Sequence, residues 1–174
     1  MSVIDLLLSR RSIRKYKTEP IPQDKLEMIL EAGRYAPSAS NRQPWHFIVL
    51  TDLEILENLS HGQWNTFIST SAFTLVGCAY EGSTYARKWS TVDTTIAMQN
   101  MVIAAWSLGI GSCWIGDFDE AAVRKILHVP KDWKILALIS FGYPDETPEI
   151  TSRKSLKEIT GYNTFRFSSN RSGQ

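Results

Sequence analysis

Arg10-Arg11-Ser12-Ile13-Arg14-Lys15-Tyr16 and Ala36-Pro37-Ser38-Ala39-Ser40-Asn41-Arg42-Gln43-Pro44-Trp45 are the two stretches on which the reading of this chain turns. The first sets three arginines and a serine within one short span, a density of charge-assisted donors that suits an oxyanion. The second is rich in hydroxyls and amides and is stiffened by two prolines. It runs into Trp45-His46-Phe47-Ile48-Val49-Leu50, which reads as a strand. Hydrogen-bonding groups fixed by a stiff loop and delivered by a strand are what a polar, planar ligand needs. Taken alone, the basic run reads equally well as a solvated turn. The loop reads equally well as a polar cap on the preceding helix, because Ser and Asn are ordinary turn residues.

Composition narrows the choice. The chain has 174 residues, 43% hydrophobic and 21% charged, enough for one domain with a real core. A formal net charge of +1 supplies no global field to recruit nucleic acid or a membrane surface, so the basic run is a local feature suited to a small anion. Cys78 and Cys113 stand far apart in apolar surroundings, with no CxxC and no Cys/His cluster, and His46, His61 and His128 are not spaced as ligands. No metal site is expected. No apolar run approaches the ~20 residues of a membrane span, and the first residues lack the pattern of a leader, so the expected location is cytoplasmic.

Helices are expected from Ser2 to Ser9, from Asp24 to before Pro37, after a Thr51-Asp52 cap, and after an Asp119 cap. Phe73 to Tyr80 and Lys134 to Pro144 read as strands, the first apolar enough to be covered on both faces. Residues 81–92 read as a mobile loop. The longest helix is placed after a cap at Asp93 or Thr94 and ends at Gly109; its apolar residues run nearly all round, in a core or across a subunit interface. Gly109-Ile110-Gly111-Ser112-Cys113-Trp114-Ile115-Gly116 is an extended piece whose glycines admit close backbone approach. Residues 161–174 have no core of their own. The pattern is mixed α and β without regular βαβ alternation, and no GxGxxG or Walker loop is present.

Four of these segments, in order, resemble the signatures of the FMN-dependent nitroreductase family. They are residues 10–16, 36–47, 109–116, and Arg-Lys-Ser-Leu-Lys-Glu-Ile at 153–159. The resemblance spans almost the whole chain, read as a single domain over 1–174. It implies an α+β fold with a central, mostly antiparallel sheet flanked by helices. It also implies a homodimer with two shared FMN sites, the helix 94–108 as dimer core, and a tail over about 161–174 that crosses to the partner.

By motif position, the resemblance gives Arg10, Arg11, Ser12 and Arg14 to the FMN phosphate, ribityl chain and pyrimidine edge, with Arg153 and Lys154 completing the phosphate site. Pro37, Ser38, Ala39, Asn41 and Gln43 reach the flavin from the other subunit. Trp114, Ile115 and Gly116 approach the isoalloxazine through backbone. Thr151 stands where many relatives carry a basic residue.

The implied activity is ping-pong hydride transfer from NADH or NADPH through flavin N5 to nitroaromatic, quinone or similar acceptors, with no catalytic side chain. Two other readings share the resemblance. One is a flavin enzyme of the same fold with other chemistry, such as reductive dehalogenation or flavin fragmentation. The other is a non-enzymatic flavin-binding or redox-sensing protein.

Overall fold

In the computed structural model, which describes residues 2–165, the order of elements follows from local signals. Helix α1 (Val3–Ser9) opens on a capping box in which Ser2 and Asp5 satisfy each other's backbone donors. Helix α2 (Gln23–Arg34) starts directly after Pro22 and buries Ile29 and Gly33. Strand β1 (Trp45–Leu50) leads to α3 (Leu53–Leu59), where Asp52 accepts from Ile55 N at 3.0 Å. A short 3₁₀ turn (Thr66–Thr70) precedes β2 (Phe73–Tyr80), which is buried along nearly its whole length. Helix α4 (Thr84–Ser107), β3 (Gly111–Ile115), α5 (Glu120–Ile126), β4 (Trp133–Gly142) and the single turn α6 (Leu156–Ile159) complete the described chain. Asp119 caps α5 through bonds from Ala121 N and Ala122 N.

The four strands form one antiparallel sheet in the order β1-β2-β4-β3. Its two faces carry separate cores. One packs Phe73, Leu75, Ile139 and Phe141 against Met98, Met101 and Val102 of α4 and Ile29 of α2. The other packs Val76, Cys78 and Leu138 against Leu56 and Leu59 of α3 and Val123 of α5. A register shift at Gly77/Cys78 leaves Leu136 without a partner on β2. The bulge changes parity, so Ile135 and Leu138 serve the same core although they stand three positions apart. The α+β architecture implied by the resemblance is present.

Two expectations change. Residues 81–92 are not a free loop: Ser83 Oγ accepts from Ala86 N at 3.1 Å, and α4 begins at Thr84. Asp93 and Thr94 therefore lie inside the helix, and both are buried. In the stretch that the resemblance gives to a dimer core, Ala97, Met98, Met101, Val102 and Ala105 are buried within this chain, while Ile103, Ala104 and Trp106 are only half-buried. The exposed apolar residues of α4 come earlier, at Trp89, Val92 and Ile96. Of the tail over 161–174, the residues beyond 165, Phe167 among them, lie outside the described chain.

The basic segment is seated along the sheet by its apolar members. Ser12 bridges Ser112 in parallel, Ile13 N donates to Ser112 O at 3.0 Å, and Lys17 N donates to Tyr143 O at 2.9 Å. Ile13 and Tyr16 are buried, and they occupy the space above Gly111 and Gly142. A Cβ on Gly111 would stand 2.6 Å from Ile13 Cγ1 and 2.8 Å from its Cβ; one on Gly142 would stand 2.6 Å from the Tyr16 ring. The Tyr16 hydroxyl donates to Ile13 O at 2.6 Å and pairs with Ser140 Oγ at 2.7 Å.

Gly111→Ala tests this seating. Relieving glycine entropy in a strand contributes roughly 0.5–1 kcal/mol in favour of the variant. The clash wins, because Ile13 Cβ is tied to the backbone and overpacking costs about 1–3 kcal/mol. Denaturant unfolding should show a net loss. Burial also pushes the Tyr16 phenol well above its ordinary value of 10.0. A raised native value means that this contribution to stability is complete below about pH 10 and is lost as pH rises further. Stability should therefore fall less between about pH 10 and 11 in Tyr16→Phe than in the parent protein, as read by urea unfolding.

Candidate functional site

Seating Ile13 inward turns its neighbours Ser12 and Arg14 toward the outer side, because side chains alternate along extended backbone. The result is a cavity of about 590 Å³ whose wall includes Arg14, Trp64, Phe67, Trp114, Ile115 and Gly116. Arg14, given by the first motif, thus meets Trp114, Ile115 and Gly116, given by the third. Nothing lies within 4 Å of the position a Gly116 Cβ would take, so the backbone there is open.

Cys113 sits in the same wall. Burial pushes its thiol up, and the positive charges of Arg14 and then Arg10 partly oppose that rise, which places both guanidiniums in its field. Cys78 is pushed up to about 11 by burial. Both thiols are free and protonated near neutrality, so neither is a thiolate nucleophile.

Two residues without a local sequence signal hold this cavity in shape, and a third lines its opening. Glu146 accepts from the backbone of Arg14 and of Lys15, the second at 3.1 Å, and fixes the cationic segment from behind β4. Asn65 is buried; it accepts from Gly62 N at 2.7 Å and donates to Asp117 O at 3.1 Å, tying the 3₁₀ turn to the end of β3. Trp64 is exposed and lines the opening. Glu146 and Asn65 act across long sequence separations, which no local pattern records.

The remaining motif residues are placed elsewhere. Arg11 donates from Nη1 to Leu8 O, Ser9 O and Arg10 O at 2.9–3.0 Å, closing the C-terminal end of α1. Arg153 folds back onto Thr151 and Ser152, with Nη1 bonded to both carbonyls and to the Thr151 hydroxyl. Lys154 lies beside α6 with Glu158 and Ile159. Neither Arg153 nor Lys154 lines the Arg14 cavity.

The loop of Pro37, Ser38, Ala39, Asn41 and Gln43 is knitted to itself. Ser38 Oγ accepts from Gln43 N at 2.9 Å, and Gln43 Nε2 reaches Asn41 O and Oδ1 at 3.2 and 3.3 Å. Ser40, Asn41 and Gln43 all hold positive φ, between 50° and 55°. Non-glycine residues in that region cost of order 1–3 kcal/mol each and persist where the surroundings over-determine them. Here Asp93 of α4 does so, accepting from Ala39 N at 3.1 Å. The loop shares no lining residue with the Arg14 cavity. Within one chain the two groups of motif residues are held apart.

Asp93→Ala would leave the Ala39 N–H unpaired, at a cost of about 1–3 kcal/mol. Amide hydrogen exchange over residues 38–43 should quicken in that variant, while exchange in β2 and β4 stays unchanged.

Proteins of one family resemble this chain in sequence and fold. The model of the nitroreductase family matches residues 7–72 and 65–143. A relative from Archaeoglobus fulgidus, provisionally named an NADH dehydrogenase/NAD(P)H nitroreductase, is 35% identical over 149 residues, covering 82% of this chain and 86% of its own. Among solved structures, an FMN-dependent nitroreductase from Clostridium difficile R20291 superposes with a TM-score of 0.81 at 32% identity, covering 93% of this chain and 99% of that one. The NADPH:FMN oxidoreductase of Vibrio harveyi, complexed with NAD+, gives a TM-score of 0.87 at 27% identity, covering 94% of this chain and 78% of that one.

Proposed function

The chain belongs to the nitroreductase family and is an NAD(P)H-dependent oxidoreductase, and from this premise we propose that it works through FMN held between two copies of itself. The acceptors are nitroaromatics, quinones or similar compounds. The observation that carries this reading is the single cavity that joins Arg14 to the Trp114–Gly116 backbone. Its chemistry fits the cofactor: guanidinium for an anionic group, aromatic walls for a flat ring system, and open backbone at Gly116 for close approach.

Arg10, Ser12 and Arg14 would hold the phosphate, ribityl and pyrimidine groups, with Arg11, Arg153 and Lys154 as further cations of the same motifs. Trp114, Ile115 and Gly116 would face the ring. Bound FMN supplies hydride transfer, accepting from NADH or NADPH and giving to the acceptor. The protein's part is to bind, orient and tune. Arg14 places positive charge on the cavity wall, where it favours an anionic ligand. Glu146 keeps Arg14 from drifting by holding its backbone. Trp64 and Phe67 add aromatic wall to the cavity that holds Arg14.

Dimerisation completes the site in this reading. Pro37, Ser38, Ala39, Asn41 and Gln43 reach no flavin cavity within their own chain, so a second copy must bring them. Two exposed apolar surfaces support such a contact. Trp89, Val92 and Ile96 form one stripe on α4. Helix α1 exposes Val3, Ile4, Leu7 and Leu8 and buries none of its residues, and a seven-residue helix is marginal without packing. Among the described residues no helix is long and apolar enough to cross a membrane. Two free cysteines fit the cytoplasm, where we place the protein.

The test is the visible spectrum of the purified protein before and after NADH or NADPH is added without air. A flavin spectrum that bleaches is expected; a colourless protein that takes up no FMN would sink the reading. In Arg14→Ala, loss of a charge-assisted bond should weaken FMN binding by roughly 10- to 100-fold, measured by fluorescence quenching of added FMN.

A further inference from the structure

Trp89, Val92, Ile96, Gln99, Ile103 and Trp106 follow one another along α4 at alternating steps of three and four residues, which puts them on one face. Trp89, Val92 and Ile96 are exposed, and Gln99, Ile103 and Trp106 are half-buried, so this face is partly open along its whole length. The opposite side of the helix lies in the core through Met98 and Met101, and Asn100 donates to Ala32 O of α2 at 3.3 Å. Alternating steps of three and four are the spacing of a seam between two paired helices.

The stripe reads nearly alike from either end: a tryptophan at each end, then Val92 and Ile103, with Ile96 and Gln99 in the middle. Two antiparallel copies would pair Trp89 with Trp106, Val92 with Ile103 and Ile96 with Gln99, each pair drawn from both chains. A two-fold contact needs such a self-complementary surface, because each residue meets its counterpart twice.

Gln99 is the one polar member of the stripe. Its Oε1 accepts from Trp114 Nε1 at 3.3 Å, and Trp114 lines the Arg14 cavity. An amide covered by an apolar surface costs free energy unless it is hydrogen-bonded. Trp114 supplies such a bond, and the bond in turn fixes the indole. One hydrogen bond thus joins the open face of α4 to the wall of the candidate site.

We propose that Gln99 is the positioning residue that ties contact between copies to the flavin site: a second copy covers the α4 stripe, and Gln99 carries that contact to Trp114. Covering the stripe removes water from the Gln99 amide, which strengthens its bond to the indole and stiffens the cavity wall. The proposal rests on the flavin reading and names how association is felt at that site.

Three variants test it by sedimentation, by FMN titration and by the fluorine NMR signal of Trp114 in protein labelled with 5-fluorotryptophan, assigned with Trp114→Phe. Ile96→Lys puts a charge on the stripe away from Trp114; it should sediment as a monomer and move the Trp114 signal. Gln99→Leu keeps the stripe apolar and removes the acceptor. It should stay dimeric, move the Trp114 signal and bind FMN about five-fold more weakly, the loss of one hydrogen bond. Gln99→Glu keeps an acceptor but places a charge in the contact. Its dimer should dissociate about ten-fold more readily, and FMN affinity should return to the parental value when protein concentration restores the dimer. The proposal is overturned if the parent sediments as a monomer, if Ile96→Lys stays dimeric, or if Gln99→Leu leaves both the Trp114 signal and FMN affinity at parental values. A parent that takes up no FMN sinks the flavin reading instead, while sedimentation and the Trp114 signal still read the stripe and Gln99.

Discussion

Two side chains, Ile13 and Tyr16, lying over two glycines, Gly111 and Gly142, decide where this protein's chemistry can be. Their contact lets an extended segment run along β3 and the end of β4 closely enough to exchange backbone bonds with Ser112 and Tyr143. With Ile13 turned inward, Arg14 is delivered to the rim of β3, next to Trp114 and Gly116. Glu146 and Ser140 then lock the segment through the Arg14 and Lys15 backbone and through the Tyr16 hydroxyl. The charge on Arg14 is thus placed by apolar packing, and the bonds that hold its segment to the fold here are backbone bonds.

The same geometry supports the proposal that one chain holds only half of the site. The loop of Pro37 to Gln43 is anchored to α4 through Asp93, while the cations are anchored to β3. Each anchor is rigid: one is a buried carboxylate on a 24-residue helix, the other a sheet edge. No hinge motion of either is needed if a second copy supplies the missing half. Exposed apolar residues on α1 and on the early turns of α4 give such a copy somewhere to pack. Catalysis in this account depends on association, because hydrophobic contact between copies positions polar groups that neither copy positions alone.

Local signals in the sequence carried much of the architecture. Ser2, Asp52 and Asp119 are caps whose partners lie two or three residues away, and each forms as its spacing predicts. Gly109, with φ of 76°, ends α4 as a left-handed residue should. The start of α4 was not legible, for a physical reason. Its first turns bury Ser90, Asp93 and Thr94 and expose Trp89 and Val92, the inverse of the usual amphipathic pattern. Gly82 and Ser83 then read as loop residues, although Ser83 is the cap. At the site, the cationic and glycine-rich motifs were readable because they are contiguous. Glu146, Asn65 and Asp93 were not, since each bonds to backbone far away in sequence and looks like any surface polar residue until the chain is folded.

The central claim is that Arg14 and the Pro37–Asn41 loop serve one flavin from two different chains, and mixed dimers test it directly. One chain would carry Arg14→Ala and the other Ser38→Ala with Asn41→Ala, each with a different affinity tag so that the heterodimer is isolated. If the site is shared, both defects fall on the same site and the other site is intact. The heterodimer should then bind one FMN with parental affinity, although each variant homodimer binds weakly at both sites. If each chain builds its own site, both sites of the heterodimer carry a defect. Absence of any parental-affinity site would contradict the account.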